Sequence, residues 1–493
     1  MKRKLLIVPA LIVTAFFATT EIAKAADISF SGQLLTRYES NEHGVINLST
    51  FNDATDAGDF VVSRTRLNAD VTVNDTTSAF IMMSRNGTWG SNAAGNNTGG
   101  ETGSANSSFQ VSDADDNLGI HQAYFTLKNF ANSSLDLKVG RQQIVLDGHR
   151  LFGNTIWTVG QQTHDAVRVN HKHDNMSFSA AWIMSAEGGT PGNNAADPML
   201  VNRDIETYMA YMKYTGILGG NFSVTYAGII DDCGTTNGAT TCVDDNNDND
   251  MHTIGFRQAG QLYGIDYRGE YYYQFGDASA TADGMNGGVG STATGTGVDR
   301  DAYMFGVRIG KTFKNVNMKP SLTVWYDYLS GTDDQDLAAT DAKWKSFNPV
   351  FDTGHKFYGL QDLFLGIGTG NETNGTAALG LQDLAVKTKL SPAPGWTFKA
   401  DYHWFYTAAS ADSNSNRRLF GSGGGVADNT TPNRLSNNNL GTELDLSLAN
   451  KYNANTTITA GFSNYSNTSL FRDLRNVDGG GANWAYLQFD VKF

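Results

Sequence analysis

The chain has 493 residues with a net charge of −14, and only 17% of its residues are charged. That balance excludes a nucleic-acid partner, which would need a basic face. Two cysteines exclude a disulfide-dense scaffold, and no apolar run beyond the N-terminus reaches the ~20 residues of a membrane helix.

Residues 1–25 read as a secretory signal. Lys2, Arg3 and Lys4 form the positive head, Leu5 to Thr20 the apolar stretch, and Ala23-Lys24-Ala25 the small-residue cleavage site. Its removal would take Lys2, Arg3, Lys4, Lys24 and Glu21, a net +3, and bring the charge from −14 to about −17. Residues 26–493 then form one body, because no linker or composition boundary interrupts them.

Alternation with a period of two predicts strands at 28–39, 59–74, 77–88, 118–129, 134–145, 163–172, 175–185, 205–216, 220–231, 250–259, 262–275, 300–313, 317–329, 379–390, 395–407, 440–451, 455–466 and 483–493. Early in the chain, Arg64, Arg66, Asn68 and Asp70 share one face, opposite Thr65, Leu67, Ala69 and Val71. In the middle, Asp266, Arg268 and Glu270 oppose Ile265, Tyr267, Tyr271 and Tyr273. Late in the chain, Glu443 and Asp445 oppose Leu444, Leu446 and Leu448. A β-sandwich alternates too, but the connections separate the two folds. Short turns such as 74–76, 173–174, 314–316 and 452–454 alternate with long polar loops at 40–58, 89–117, 146–162, 186–204, 232–249, 276–299, 330–378, 408–439 and 467–482. Short turns on one side and long loops on the other mark a closed antiparallel transmembrane β-barrel, here of about 18 strands, with the short turns in the periplasm. Such a barrel belongs in the outer membrane of a Gram-negative cell, against its lipid and lipopolysaccharide. Aromatics near strand ends, including Trp89, Tyr214, Tyr273, Tyr328, Trp396 and Trp484, suit the lipid headgroup zone. The final strand, ending in Phe493, carries Ala485, Leu487, Phe489 and Val491 on one face.

Several stretches carry a resemblance. They are Gly140-Arg141-Gln142, Arg150-Leu151, Asp165-Ala166-Val167-Arg168, Phe347-Asn348-Pro349, Thr353 through Gly359, Asp362-Leu363-Phe364, Asp401-Tyr402-His403, Leu440 through Asp445, and Gly461-Phe462-Ser463. In these words, spread over the barrel in order, the chain resembles the alginate-export family of outer-membrane barrels. The resemblance implies an eighteen-stranded channel whose cationic lumen passes an anionic polysaccharide or a related anionic solute, with periplasmic export partners possible in principle.

The residues themselves offer Arg37, Arg64, Arg66, Arg85, Arg141, Arg168, Arg257, Arg268 and Arg308 as lumen cations. Arginine is always charged and its planar fork matches a carboxylate. The alternative is a mixed ladder in which Asp70, Asp165, Asp266, Glu270, Asp383, Glu443 and Asp445 pair with them and brace the wall. Arg141 and Arg168, which also sit in family words, are expected in the constriction, with Arg64, Arg66, Arg268 and Arg37 behind them. Arg141 has the wrong parity for its strand, so this expectation needs a bulge near the rim. Loop 330–378 holds His355, Phe357 and Tyr358 among many aromatics, and is expected to fold inward and narrow the pore. Cys233 and Cys242 are expected to pair in an exported protein.

No catalytic constellation, metal-ligand spacing or cofactor motif stands out, and no enzyme is expected. The acidic run 244–250 leaves open a calcium site or a solvated loop tip. The competing functions are an anion-favouring channel, a general diffusion porin, an outer-membrane barrel enzyme such as a lipase, whose required Ser-His pair on a lipid-facing rim is not located, and a barrel whose loops serve adhesion.

Overall fold

The computed structural model describes residues 26–42, 58–89, 118–186, 205–231, 250–278, 298–333, 336, 341, 343–365, 376, 378–410, 438–475 and 481–493. The segment 1–25, Cys233, Cys242 and residues 244–249 lie outside these. The strands, in chain order, are β1 (Asp27–Glu42), β2 (Gly58–Thr72), β3 (Thr77–Thr88), β4 (Leu118–Leu127), β5 (Leu135–Gln142) and β6 (His164–His173). Next come β7 (Met176–Ala186), β8 (Ile205–Ile217), β9 (Gly220–Asp231), β10 (Met251–Leu262), β11 (Ile265–Ala278), β12 (Val298–Thr312), β13 (Ser321–Leu329) and β14 (Lys343–Trp344). The last are β15 (Leu381–Leu390), β16 (Trp396–Tyr406), β17 (Asn439–Lys451), β18 (Thr456–Asn467) and β19 (Gly481–Lys492), with a short helix, α1 (Ser469–Arg475), before β19.

Apart from the two-residue β14, which runs parallel to β12 at Asp299 and Arg300, eighteen antiparallel strands pair with their chain neighbours. β1 pairs with β2 on one side and β19 on the other, from Gln33 opposite Lys492 to Glu42 opposite Asn483, and this closes the cylinder. Closure leaves no open strand edge, which a sheet in hydrocarbon cannot tolerate. Each expected strand is present. The largest shift is at β13, which begins at Ser321 rather than 317. Met318 and Lys319 adopt positive φ in the turn, and Pro320 has no N–H to donate to a ladder.

The two faces differ as the period of two requires. Ile28, Phe30, Leu34, Leu67, Val307, Ile309, Val324 and Leu487 project outward and are exposed. Rows of this kind need a lipid surround. Inward, Arg64, Arg66, Glu270, Asp327, Asp383, His403 and Glu443 are buried. They are buried because the cylinder is filled from within. Residues 143–163 and the described part of 330–380 turn into the lumen. There Ile144, Leu146, Leu151, Phe152, Phe347, Phe357, Leu363 and Phe364 form an apolar core, with Leu470 and Phe471 of α1 added near the last strands.

Candidate functional site: a constriction made by two inward loops

The first loop leaves β5 at Gln142. The backbone N–H of Gln143 donates to the Gln122 side chain at 3.0 Å, and the chain turns inward. The two loops then meet in an extended crossing. Gly153 N donates to Phe351 O (2.7 Å), Phe351 N to Leu151 O (3.1 Å) and Thr353 N to His149 O (3.1 Å). The rings of Phe152 and Phe351 lie 5.3 Å apart over this crossing. Backbone pairing plus apolar burial makes the two loops one body.

Arg150 pins that body to the wall. Its Nη2 donates to Glu270 Oε1 at 3.0 Å and to Asp327 Oδ2 at 2.5 Å. Its Nη1 donates to the Tyr358 hydroxyl at 2.5 Å, and its guanidinium stacks on Phe357 at 3.8 Å. Burial works against the charge, but Asp327, Tyr358 and Glu270 outweigh it, so the Arg150 pKa is raised well above its ordinary value. The same carboxylates serve two wall cations. Arg308 lies 3.3 Å from Asp327 and stacks on Trp325, and Arg257 lies 3.7 Å from Glu270 and 3.6 Å from Asp147.

On the β1–β2 side, Trp157 of the first loop sits between Arg37 (3.7 Å) and His355 of the second (4.2 Å, nearly parallel). Arg37 Nη1 also donates to Trp157 O at 3.0 Å, while its Nε pairs with Glu39 at 2.6 Å. Arg64 donates to the carbonyls of Ile156 and Thr158 at 3.3 and 3.2 Å. Three strands from β1 around the sheet, the second loop docks on β17. Gln361 N donates to Glu443 Oε1 at 2.9 Å and Leu360 N to Asp445 Oδ2 at 3.3 Å. Gly359 makes this approach possible. Its φ is +83°, and any Cβ there would strike the Glu443 carboxylate.

A family model described as Alginate export matches residues 27–472. The chain belongs to this family. As an alginate-export barrel it is a channel of the Gram-negative outer membrane, bounded by lipid, and its relatives in the family are channels rather than enzymes. No curated protein matches the sequence. Among solved structures, Pseudomonas aeruginosa OccK8 (OprE) is similar over 95% of this chain and 98% of its own, at 12% identity and a TM-score of 0.51. P. aeruginosa OccK9 (OpdG) is similar over 95% and 98%, at 10% identity and 0.51. Acinetobacter baumannii OccAB3 is similar over 95% and 99%, at 10% identity and 0.50. At such identities the likeness speaks for the barrel alone.

Of the arginines expected from sequence, Arg37, Arg64, Arg66 and Arg268 face the lumen near the loops. Arg168 also faces inward but lies towards the short-turn end, where its Nε donates to Ser179 at 2.7 Å. Arg141 is a correction. The register of β5 against β4 and β6 runs unbroken through it, so no bulge restores its parity. It shares the outward face with Val139 and Val167, half exposed, in a two-bond pair with Asp165 at 2.7 and 2.8 Å. Arg85 is likewise opposite Thr65, on the face of Leu67, and not in the lumen. His355, Phe357 and Tyr358 all lie in the constriction, the last two almost fully buried. Sequence reasoning singled out Arg150 only as part of a family word and gave it no role, and it missed Trp157. Arg150 is the only Lys or Arg between 143 and 163, and that isolation within an aromatic, glycine-rich loop was the available signal. Among the described residues no three acid, histidine or cysteine side chains gather as a metal site.

Proposed function

We propose that this channel passes anionic solutes by diffusion along the water-filled margin of the two loops, past fixed cations and without a chemical step. One observation carries the reading: the balance of compensated and uncompensated charge in the lumen. Five of the carboxylates there have partners. Glu270 and Asp327 hold Arg150, Asp383 pairs with His403 at 2.8 Å, Asp401 with Lys387 at 3.0 Å, and Glu443 accepts from the second loop. Four lumen cations, Arg64, Arg66, Arg268 and Lys356, have no carboxylate within ion-pair distance among the described residues. Arg64 and Arg66 are buried, while Lys356 borders a cavity beside the second loop, and the low-dielectric surroundings focus the field of these cations. The chain as a whole is acidic, but charge standing in open water is screened beyond ~8 Å.

Export of an anionic polysaccharide is the second reading, favoured by the family description. It requires the two loops to part, because their apolar core now fills the middle of the barrel.

Reversal potentials across a KCl gradient in a planar bilayer test the proposal. The wild type should prefer chloride. A unit charge ~8 Å from the path in water is worth about 0.5 kcal/mol to a passing ion, so each of Arg268→Gln and Lys356→Gln should lower chloride preference about twofold. A cation-selective wild type would refute the reading.

A further inference from the structure

At the short-turn end, β5 to β8 build a second polar chamber, which meets the first loop where the Tyr211 hydroxyl donates to Asp147 at 2.8 Å. The period of two puts Arg168, Asn170 and Lys172 of β6 on the inner face. The register sets Lys172 beside Ser177 and Ser177 beside Lys213, while Asn170 stands beside Ser179 and Ser179 beside Tyr211. The result is a concave wall with cations at its corners and hydroxyls between them, around a cavity of about 440 Å³. Arg168 donates through Nε to Ser179, and Ser179 in turn to Asn170 at 3.0 Å, which aims the fork of the guanidinium.

The charges here are not balanced by the protein. Asp136 is the one carboxylate lining the cavity. It accepts from the backbone N–H of Asn129 at 3.1 Å, and it lies beyond ion-pair distance of Arg168, Lys172 and Lys213. Lys138 adds to the excess as the cross-strand neighbour of Arg168, with its ammonium turned onto the Tyr124 ring at 3.8 Å. Three lining cations against one carboxylate leave a formal excess of two positive charges. Like charges on adjacent strands repel, and a bound counter-anion relieves that repulsion.

We infer that this chamber is a binding site for a phosphate-type oxyanion, held by Arg168, Lys172 and Lys213 with Ser177 and Ser179 as hydroxyl donors. A dianion matches the excess charge, and its several oxygens match a fork, two ammoniums and two hydroxyls better than a monocarboxylate does. The cavity volume falls within the range of ~300–1,000 Å³ usual for small-molecule sites. It therefore has room for inorganic phosphate or a phosphorylated sugar. The inference rests on the lumen being a solute path, and it adds a capture point at the periplasmic mouth to the anion preference proposed above.

Calorimetric titration of the full-length protein in a neutral detergent tests it. Inorganic phosphate, glucose 6-phosphate and acetate are compared at one ionic strength. Phosphate and the sugar phosphate should bind saturably and acetate at least tenfold more weakly. The K172Q/K213Q variant, with folding checked by heat-modifiable gel mobility, should lose at least tenfold in phosphate affinity, and Arg168→Gln should do the same alone. If the sugar phosphate binds more tightly than phosphate, a phosphorylated metabolite is the ligand; if the two bind alike, the free ion is. Acetate binding as well as phosphate, or variants that bind as the wild type does, would overturn the site. Anion-selective reversal potentials alongside absent phosphate binding would remove this site and leave the proposed function standing.

Discussion

Replacing Arg150 by methionine should free the two loops from the wall. Methionine keeps much of the aliphatic bulk against Phe357 but removes three charge-assisted contacts, to Glu270, Asp327 and Tyr358. Both carboxylates are buried, at about 1% and 0% side-chain exposure, so each would stand in low dielectric with less compensation. Breaking a buried pair by removing one partner costs about 3–5 kcal/mol. Arg308 and Arg257 remain 3.3 and 3.7 Å from these acids and soften the loss, which favours the low end. A cost of about 3 kcal/mol shifts the docked-to-undocked ratio more than a hundredfold. In single-channel recordings the variant should show frequent larger-conductance openings, and limited proteolysis should cut within 143–163. Arg150→Lys should fall between the two, since it keeps the charge and loses the fork. Methionine-variant traces and cleavage matching the wild type would refute the claim that Arg150 holds the constriction.

Three further changes test other parts of the site. Arg141→Ala should leave ion selectivity unchanged within error, because the side chain faces outward with Asp165; a clear loss of chloride preference would contradict its placement. Gly359→Ala should loosen the second loop by roughly 1–3 kcal/mol, from the left-handed backbone alone and further from the Glu443 collision, read as added open-channel noise. Burial lifts the Asp352 carboxyl to about 7, with Arg150 pulling it down and Asp362 pushing it up. A raised pKa means that docking is fully supported below the ordinary carboxyl range and weakens as pH rises through about 7, so openings should be rarer at pH 5 than at pH 8. Asp352→Asn should flatten that difference, and an unaltered pH response would exclude Asp352 as its source.

The barrel was legible because its two environments are written on alternate residues. Lipid on one side and water or charge on the other leave the same mark at Leu444 to Leu448 as at Tyr267 to Tyr273. The inward course of residues 143–163 was not legible. Val145 has the parity of Leu135, Leu137 and Val139, so the sequence extends the strand to 145 where the sheet stops at Gln142, and the buried Ile144 and Leu146 on the other parity mark the turn inward. Inside the lumen the polarity rule inverts: a wall strand turns polar residues inward, whereas a loop that packs on another loop turns apolar ones there. The expectation for Arg141 failed for a related reason. A family word gave its identity, but its face is set by the register, and the parity of Asp136 and Lys138 already contained that answer.

Most cations of the lumen fall into two groups with different consequences. Arg150, Arg257, Arg308 and Arg37 each lie within ion-pair distance of a carboxylate, and each either belongs to a loop or touches one. Their charge is spent locally, and what they supply is a defined position for the loops. An apolar plug could fill the same volume, but dispersion has no direction, and several packings of Phe, Leu and Trp would compete. A guanidinium gripped by Glu270, Asp327 and Tyr358 together admits one arrangement. Arg66, Arg268 and Lys356 have no such partner, so their field extends to whatever passes. If the mixed-charge ladder accounted for every arginine, the lumen would be rigid and nearly neutral; if none were paired, the loops would have nothing to hold them against mutual repulsion. A wall that divides its cations between the two tasks can be both narrow and anion-favouring, and the division is made residue by residue, by which inward position finds a carboxylate beside it.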